Sequence, residues 1–157
     1  METYLNKINK LDDLDYQILN ILMQDSRTPY LEVARKCNVS GGTIHVRINK
    51  LEELGIIRGA ELFIDTSKLG FEICSFVGIQ LSSTAYINST VDELSQIDEI
   101  VELYCTTGNY SIILKIICKN ISEFQQVLMN KIQSIHGIFK TDVYISLLQP
   151  IKRSIKL

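Results

Sequence analysis

A chain of 157 residues, 46% apolar and 22% charged, has room for one large domain or two small ones and the composition of an ordinary globular protein. No apolar run approaches the ~18–20 residues of a membrane span, and the opening METYLNKINK carries no secretory apolar core, so the protein is expected in the cytoplasm with no membrane partner. The net charge of −2 does not advertise a nucleic-acid binder, yet between Ser26 and Ala60 six bases stand against three carboxylates. The four cysteines, Cys37, Cys74, Cys105 and Cys118, form no CxxC pair and are read as small core residues, with no metal site expected.

In chain order, Leu11 to Met23 carries Leu14, Ile18, Ile21 and Leu22 on one helical stripe, with Asp12 and Asp13 as anionic caps. Thr28-Pro29 reads as an N-cap and first position for a short helix with Leu31, Ala34 and Cys37 inward. Asn38 falls where a tight turn demands positive φ, Val39 plugs that turn, and Ser40 is the next N-cap. A third helix from Gly41 buries Ile44, Ile48 and Leu51 and stops at Gly55. Three such helices make a helix-turn-helix unit. Ile56–Ile64 suits a wing or a connecting strand, and Asp65–Gly70 a hinge.

The remainder alternates strand, helix, strand, strand, helix, strand. Strands are expected at Ile73–Leu81, Ile100–Thr106, Tyr110–Cys118 and Phe139–Leu147. Helices are expected at Ile87–Ile97 and at Ser122–Ile135, the latter capped by Ser122. The expected fold is α+β: a winged helix-turn-helix over residues 1–64, then a ferredoxin-like βαββαβ domain over residues 65–157. Ile112, Leu114 and Ile116 face one side of the third strand, and Ile113 and Ile117 the other with Lys115. Two apolar faces call for a second subunit across the sheet.

Opposite the buried stripe of the third helix lie Gly42, Val46, Asn49 and Glu53, flanked by Thr43, His45 and Lys50. Small residues first, then hydrogen-bonding and apolar ones, suit a helix entering the major groove of double-stranded DNA. Gly42, Thr43, His45 and Val46 are the expected base readers, with Ser40 and Lys50 on phosphates; Arg47 is divided between a phosphate contact and an internal bridge to a carboxylate. No catalytic constellation is present: His45 and His136 lie in different segments without a nucleophile beside them, and glycine-rich phosphate loops are absent. An RNA-binding βαββαβ module would need aromatics on its central strands, where Ile112–Ile116 offers aliphatics. An enzyme on this fold would need the missing catalytic groups. The hairpin tip Tyr104–Ser111 is a polar turn or a site for the ammonium and carboxylate of an amino acid.

The stretches LDDLDYQILNILMQDSRTPYLEVARKCNVSGGTIHVRINKLEELGIIRGAE, DTSKLGF, YCTTGNYSIILKI and ISLLQPIKRSIKL resemble the Lrp/AsnC family of bacterial and archaeal regulators. SGGTIHVR, TTGNYSI and NKIQSI place the resemblance nearest the family's asparagine-responsive branch. The resemblance implies a transcriptional regulator whose second domain senses an amino acid, asparagine above all, and pairs into homodimers that join as rings such as octamers. A global or DNA-organising regulator with another effector, or none, is the alternative. Carried over, the effector site involves Tyr104, Thr107, Gly108, Asn109 and Ser111, with Gln133 and Thr141 nearby. Many relatives carry acidic residues where Asn109 and Ser111 stand.

Overall fold

The computed structural model describes residues 11–157; the N-terminal ten, including the stretch read as lacking a secretory core, lie outside the described residues. The chain divides into two compact units. One runs up to Phe63 and includes the tail Ile151–Leu157, and the other is Ile64–Pro150.

In the first unit α1 spans Asp13–Gln24, α2 Tyr30–Lys36 and α3 Gly41–Glu53. Asp12 caps α1 through a reciprocal box: its carboxylate accepts from the Asp15 N–H, and the Asp15 carboxylate accepts from the Asp12 N–H. Thr28 is not the cap expected for α2. Its hydroxyl instead donates to the Asp25 carbonyl at 2.8 Å, and Pro29 occupies the cap position, where a missing N–H costs nothing. Val33 and Ala34 are the buried pair of α2, whereas Leu31 turns outward and lies over the start of α3. The periodicity misassigned Leu31 because a two-turn helix has too few positions to fix a stripe.

Both turns around α3 are left-handed caps. Asn38 (φ 56°) and Gly55 (φ 68°) each follow a helix end, and the next residue donates back into that helix, Val39 to Ala34 at 3.0 Å and Ile56 to Leu51 at 2.9 Å. Ile18, Leu19, Val33, Ala34, Ile44, Ile48 and Leu51 make one core, closed by half-buried Val39, Ile56 and Ile57. Arg58–Ile64 forms no ladder with another described strand, and Leu62 and Phe63 are exposed. The Lys152 ammonium sits 4.8 Å from the centre of the Phe63 ring and ties the tail to this unit.

In the second unit the expected hinge is an ordered 3₁₀ turn, Thr66–Leu69, capped by Asp65 and ended by Gly70. The sheet is fully antiparallel in the order β2-β3-β1-β4, with β1 Ile73–Leu81, β2 Ile100–Cys105, β3 Ile112–Cys118 and β4 Ile138–Ile145. Helix α4, Ile87–Leu94, ends three residues earlier than expected, where Ser95 folds its hydroxyl back onto the Val91 carbonyl at 2.7 Å. Helix α5, Ile121–Gln126, is capped by Asn120 rather than Ser122 and continues as a π-helical turn, Val127–Ile132. Val127 and Ile132 both reach the core, and a five-residue repeat accommodates that spacing better than an α-turn. Both helices cover one sheet face, burying Val77, Ile79, Leu94, Ile112, Leu114, Ile116, Phe124 and Val127.

Of the cysteines read as core, Cys118 is buried and Cys37 and Cys74 are half-buried, but Cys105 is exposed at the end of β2. The sheet face away from the helices is also less apolar than its sequence suggests. Half-buried Ile113 and Ile117 flank Lys115, whose ammonium meets Glu102 at 2.8 Å, and the aromatic rings of Phe76, Tyr104 and Tyr144 are exposed.

Candidate nucleic-acid interface and effector hairpin

Helix α3 is anchored by Ile44, Ile48 and Leu51, each at most 2% exposed, and this anchoring turns the opposite side to solvent. Gly42, His45 and Asn49 are exposed there, and Val46 is 66% exposed. An isolated valine this open on a well-packed helix gains nothing from burial within the chain. Ser40 caps the helix by accepting the Thr43 N–H at 3.1 Å, and the two hydroxyls are 2.8 Å apart. A Cβ on Gly41 would stand 3.2 Å from Leu31 Cδ2, the end of an exposed side chain. The His45 ring centre lies 6.2 Å from that of Tyr30, a neighbour the sequence reading did not single out.

The two cations expected on α3 have protein partners. Arg47 Nη1 donates to Asp12 Oδ2 at 2.6 Å and to Asp15 Oδ1 at 3.2 Å, and Lys50 Nζ donates to Asp15 Oδ2 at 2.7 Å. For Arg47 the internal bridge to a carboxylate is present. Lys50, expected on a phosphate, likewise has a carboxylate partner within the chain: the Asp15 side chain is fully buried, and a buried carboxylate needs its cations. The Asp15 N–H and then the Arg47 guanidinium hold the Asp12 carboxyl below the usual range, and the same bond raises Arg47. Sequence reasoning read Asp12 only as a cap and did not single out Asp15, because their Arg47 partner lies 35 and 32 residues away, beyond any local pattern.

In the second unit, the β2–β3 hairpin is closed by the Thr106 N–H donating to the Ser111 carbonyl at 3.0 Å and the Thr106 hydroxyl to the Tyr110 carbonyl at 2.7 Å. This leaves Thr107, Gly108 and Asn109 exposed at the tip. Gly108 is required by its φ of 101°; among the described residues, its chain neighbours aside, no heavy atom lies within 4 Å of where a Cβ would be. The Ser111 N–H donates to the Ile79 carbonyl at 2.9 Å, and Ile79 pairs across β1 with Thr141, whose hydroxyl accepts from the Gln133 amide at 2.8 Å. Ser111, Gln133 and Thr141 are therefore gathered at one end of the sheet. Tyr104 is not with them; it stands on the open face and donates to Glu102 at 2.6 Å, which raises its pKa. Tyr110, which follows the tip, folds back over Gly78, where a Cβ would come within 2.7 Å of its ring. Its hydroxyl meets that of Tyr144 at 3.1 Å, and its pKa is pushed up to about 12.

Residues 11–58 match the winged helix-turn-helix DNA-binding profile, and residues 74–155 match the Lrp/AsnC ligand-binding domain. The chain belongs to the Lrp/AsnC family. It is 46% identical over 149 residues to the regulatory protein AsnC of Haemophilus influenzae, covering 95% of this chain and 99% of the relative. It is 44% identical over 156 residues to the regulatory protein AsnC of Escherichia coli K12, covering 99% of both. The solved structure of Escherichia coli AsnC superposes with a TM-score of 0.88 over 94% of this chain and 99% of that one. A Neisseria meningitidis transcriptional regulator in complex with L-methionine shares the fold (TM-score 0.86, 94% and 96% covered) at 19% identity. As a member of the Lrp/AsnC family this chain is a DNA-binding transcriptional regulator with a small-molecule ligand domain, and not an enzyme. Among the described residues no helix is long and apolar enough to cross a membrane.

Proposed function

We propose that this regulator reads its operator with the N-terminal half of α3 and answers to asparagine, or a close neutral relative, bound at the β2–β3 hairpin. The carrying observation is the exposed row Gly42, His45, Val46 and Asn49 on a helix whose other side is locked into the core. Gly42, Thr43, His45 and Val46 contact base edges, Val46 against a thymine methyl, while the Ser40 cap meets a phosphate. Arg47 and Lys50 act from behind by holding the helix.

The effector reading rests on Thr107, Gly108, Asn109 and Ser111 at the tip and on the Gln133–Thr141 pair at the same end of the sheet. An amide and hydroxyls both donate and accept, which suits a zwitterion with an amide side chain. The exposure of Thr107, Gly108, Asn109 and Gln133 on one chain fits a site completed by a neighbouring subunit, in a cytoplasmic homodimer or a ring of dimers such as an octamer. Tyr104 belongs to the subunit-facing side rather than to the ligand. Calorimetry with asparagine, aspartate, glutamine and leucine tests the effector, with asparagine expected to bind most tightly. Tight leucine binding without an asparagine response refutes that specificity.

A further inference from the structure

Two of the cations nearest the DNA-reading side of α3 are engaged with carboxylates of α1. Thr43, Arg47 and Lys50 lie four and three residues apart and so form one row along the helix flank. Arg47 and Lys50 keep 28% and 33% of their side chains exposed, so each extends toward solvent with its charged end drawn inward. Asp15 is fully buried and divides its two oxygens between them, Oδ1 to Arg47 and Oδ2 to Lys50. Asp12 adds a second carboxylate on Arg47 from the surface. Among the described residues these two cations thus face two carboxylates, Asp15 in the interior and Asp12 at the surface.

A cation free to meet any phosphate strengthens binding to every sequence equally, because the backbone is the same everywhere. A cation held by a buried carboxylate gives nothing to that sequence-independent term. We infer that Asp12 and Asp15 set the specificity of DNA binding: as positioning residues they withhold Arg47 and Lys50 from the phosphate backbone, so discrimination falls to the base-reading row of α3. The inference rests on α3 being the reading helix. It differs from a purely structural role of the network, in which losing a carboxylate weakens binding to all DNA alike.

The test uses full-length protein carrying Asp15→Asn or Asp12→Asn, titrated by fluorescence anisotropy against operator and scrambled duplexes over a range of salt. Asn keeps the shape of Asp15 and remains a strong N-cap at position 12, so Asp12→Asn, at an exposed site, is the variant that retains the fold. Circular dichroism melting checks this. Affinity for scrambled DNA is expected to rise up to about tenfold, the salt slope to steepen by about 0.9 per cation released, and the operator-to-scrambled ratio to shrink. The change should be larger for Asp15→Asn, which releases Lys50, than for Asp12→Asn. If folded Asp15→Asn protein leaves slope and ratio unchanged, or loses both affinities in parallel, the inference is overturned; should Asp15→Asn not fold, a Lys50→Gln protein whose salt slope on scrambled DNA flattens by about 0.9 overturns it instead. Wild-type protein that ignores operator sequence would instead overturn the reading of α3 itself.

Discussion

At Gly108 the side chain is absent because the backbone is left-handed, with φ 101°, rather than because a neighbour within the chain crowds it. Replacing it with valine therefore strains the tip whether or not a ligand is present. Asparagine binding by Gly108→Val should be lost in calorimetry, while operator affinity without effector stays within about twofold, since the tip lies outside the helix-turn-helix unit. Unchanged asparagine binding would move the site off the hairpin. Thr90 gives the opposite kind of residue-level test. Its hydroxyl is fully buried on α4 without a hydrogen-bond partner among the described residues, a cost that valine of nearly the same shape removes. Thr90→Val is expected to raise stability by about 1 kcal/mol in urea unfolding. A loss of that size would mean that an internal partner satisfies the hydroxyl.

At the scale of elements, the parts readable from sequence are those whose cause is local. Ser40, Asn38 and Gly55 were placed correctly because capping and left-handed turns are decided within four residues. The alternation Ile112, Leu114, Ile116 appeared because a strand repeats every two residues. The π-turn at Val127–Ile132, Tyr110 folded over Gly78 and the capture of Arg47 and Lys50 by Asp15 all depend on distant partners, and no window of sequence contains them. The effector residues were read by resemblance, and only geometry separates Tyr104 from Gln133 and Thr141. The Asn38 turn yields a sharp test: Asn38→Gly should be neutral or slightly stabilising, and Asn38→Ala should cost about 1 kcal/mol, both measured by thermal unfolding. Equal effects would mean the φ of 56° is not constraining. The element ends also fix an acid response. Lys131 lowers Glu99 at the β2 end, and the Asp15 N–H and Arg47 lower Asp12 at the α1 end. Because both folded values are depressed, their contribution is full above the ordinary carboxylate range and disappears as pH falls through the lowered values. Stability should therefore decline from about pH 5 downward, less steeply in Asp12→Asn than in wild type. A steeper decline in the variant would contradict the sign.

For the whole molecule, the proposed assembly turns on the open face of the sheet. Phe76 is 41% exposed near its middle, beside half-buried Ile113 and Ile117, and Tyr144 on β4 is 57% exposed. The charges among them are already neutralised within the chain, Lys115 against Glu102 and Lys140 against Asp142. A surface whose exposed aromatic rings surround ion pairs closed within the chain can meet a copy of itself without burying an unpaired charge. Dimerisation through this face would bring two helix-turn-helix units to one DNA, so the operator should hold two related half-sites. Their separation should be near a whole number of ~10–10.5 bp turns if both α3 helices enter the same side of the duplex. Sedimentation velocity on wild type is expected to show a dimer or a multiple of dimers at micromolar concentration. Phe76→Asp places an unpaired carboxylate at the centre of that face and should shift the distribution to monomer, with far-ultraviolet dichroism unchanged because the side chain contributes little to the core. Operator affinity should fall along with the dimer, since a monomer engages one half-site at a time. A wild-type monomer would remove the assembly reading, and a dimer that survives Phe76→Asp would place the interface on another surface.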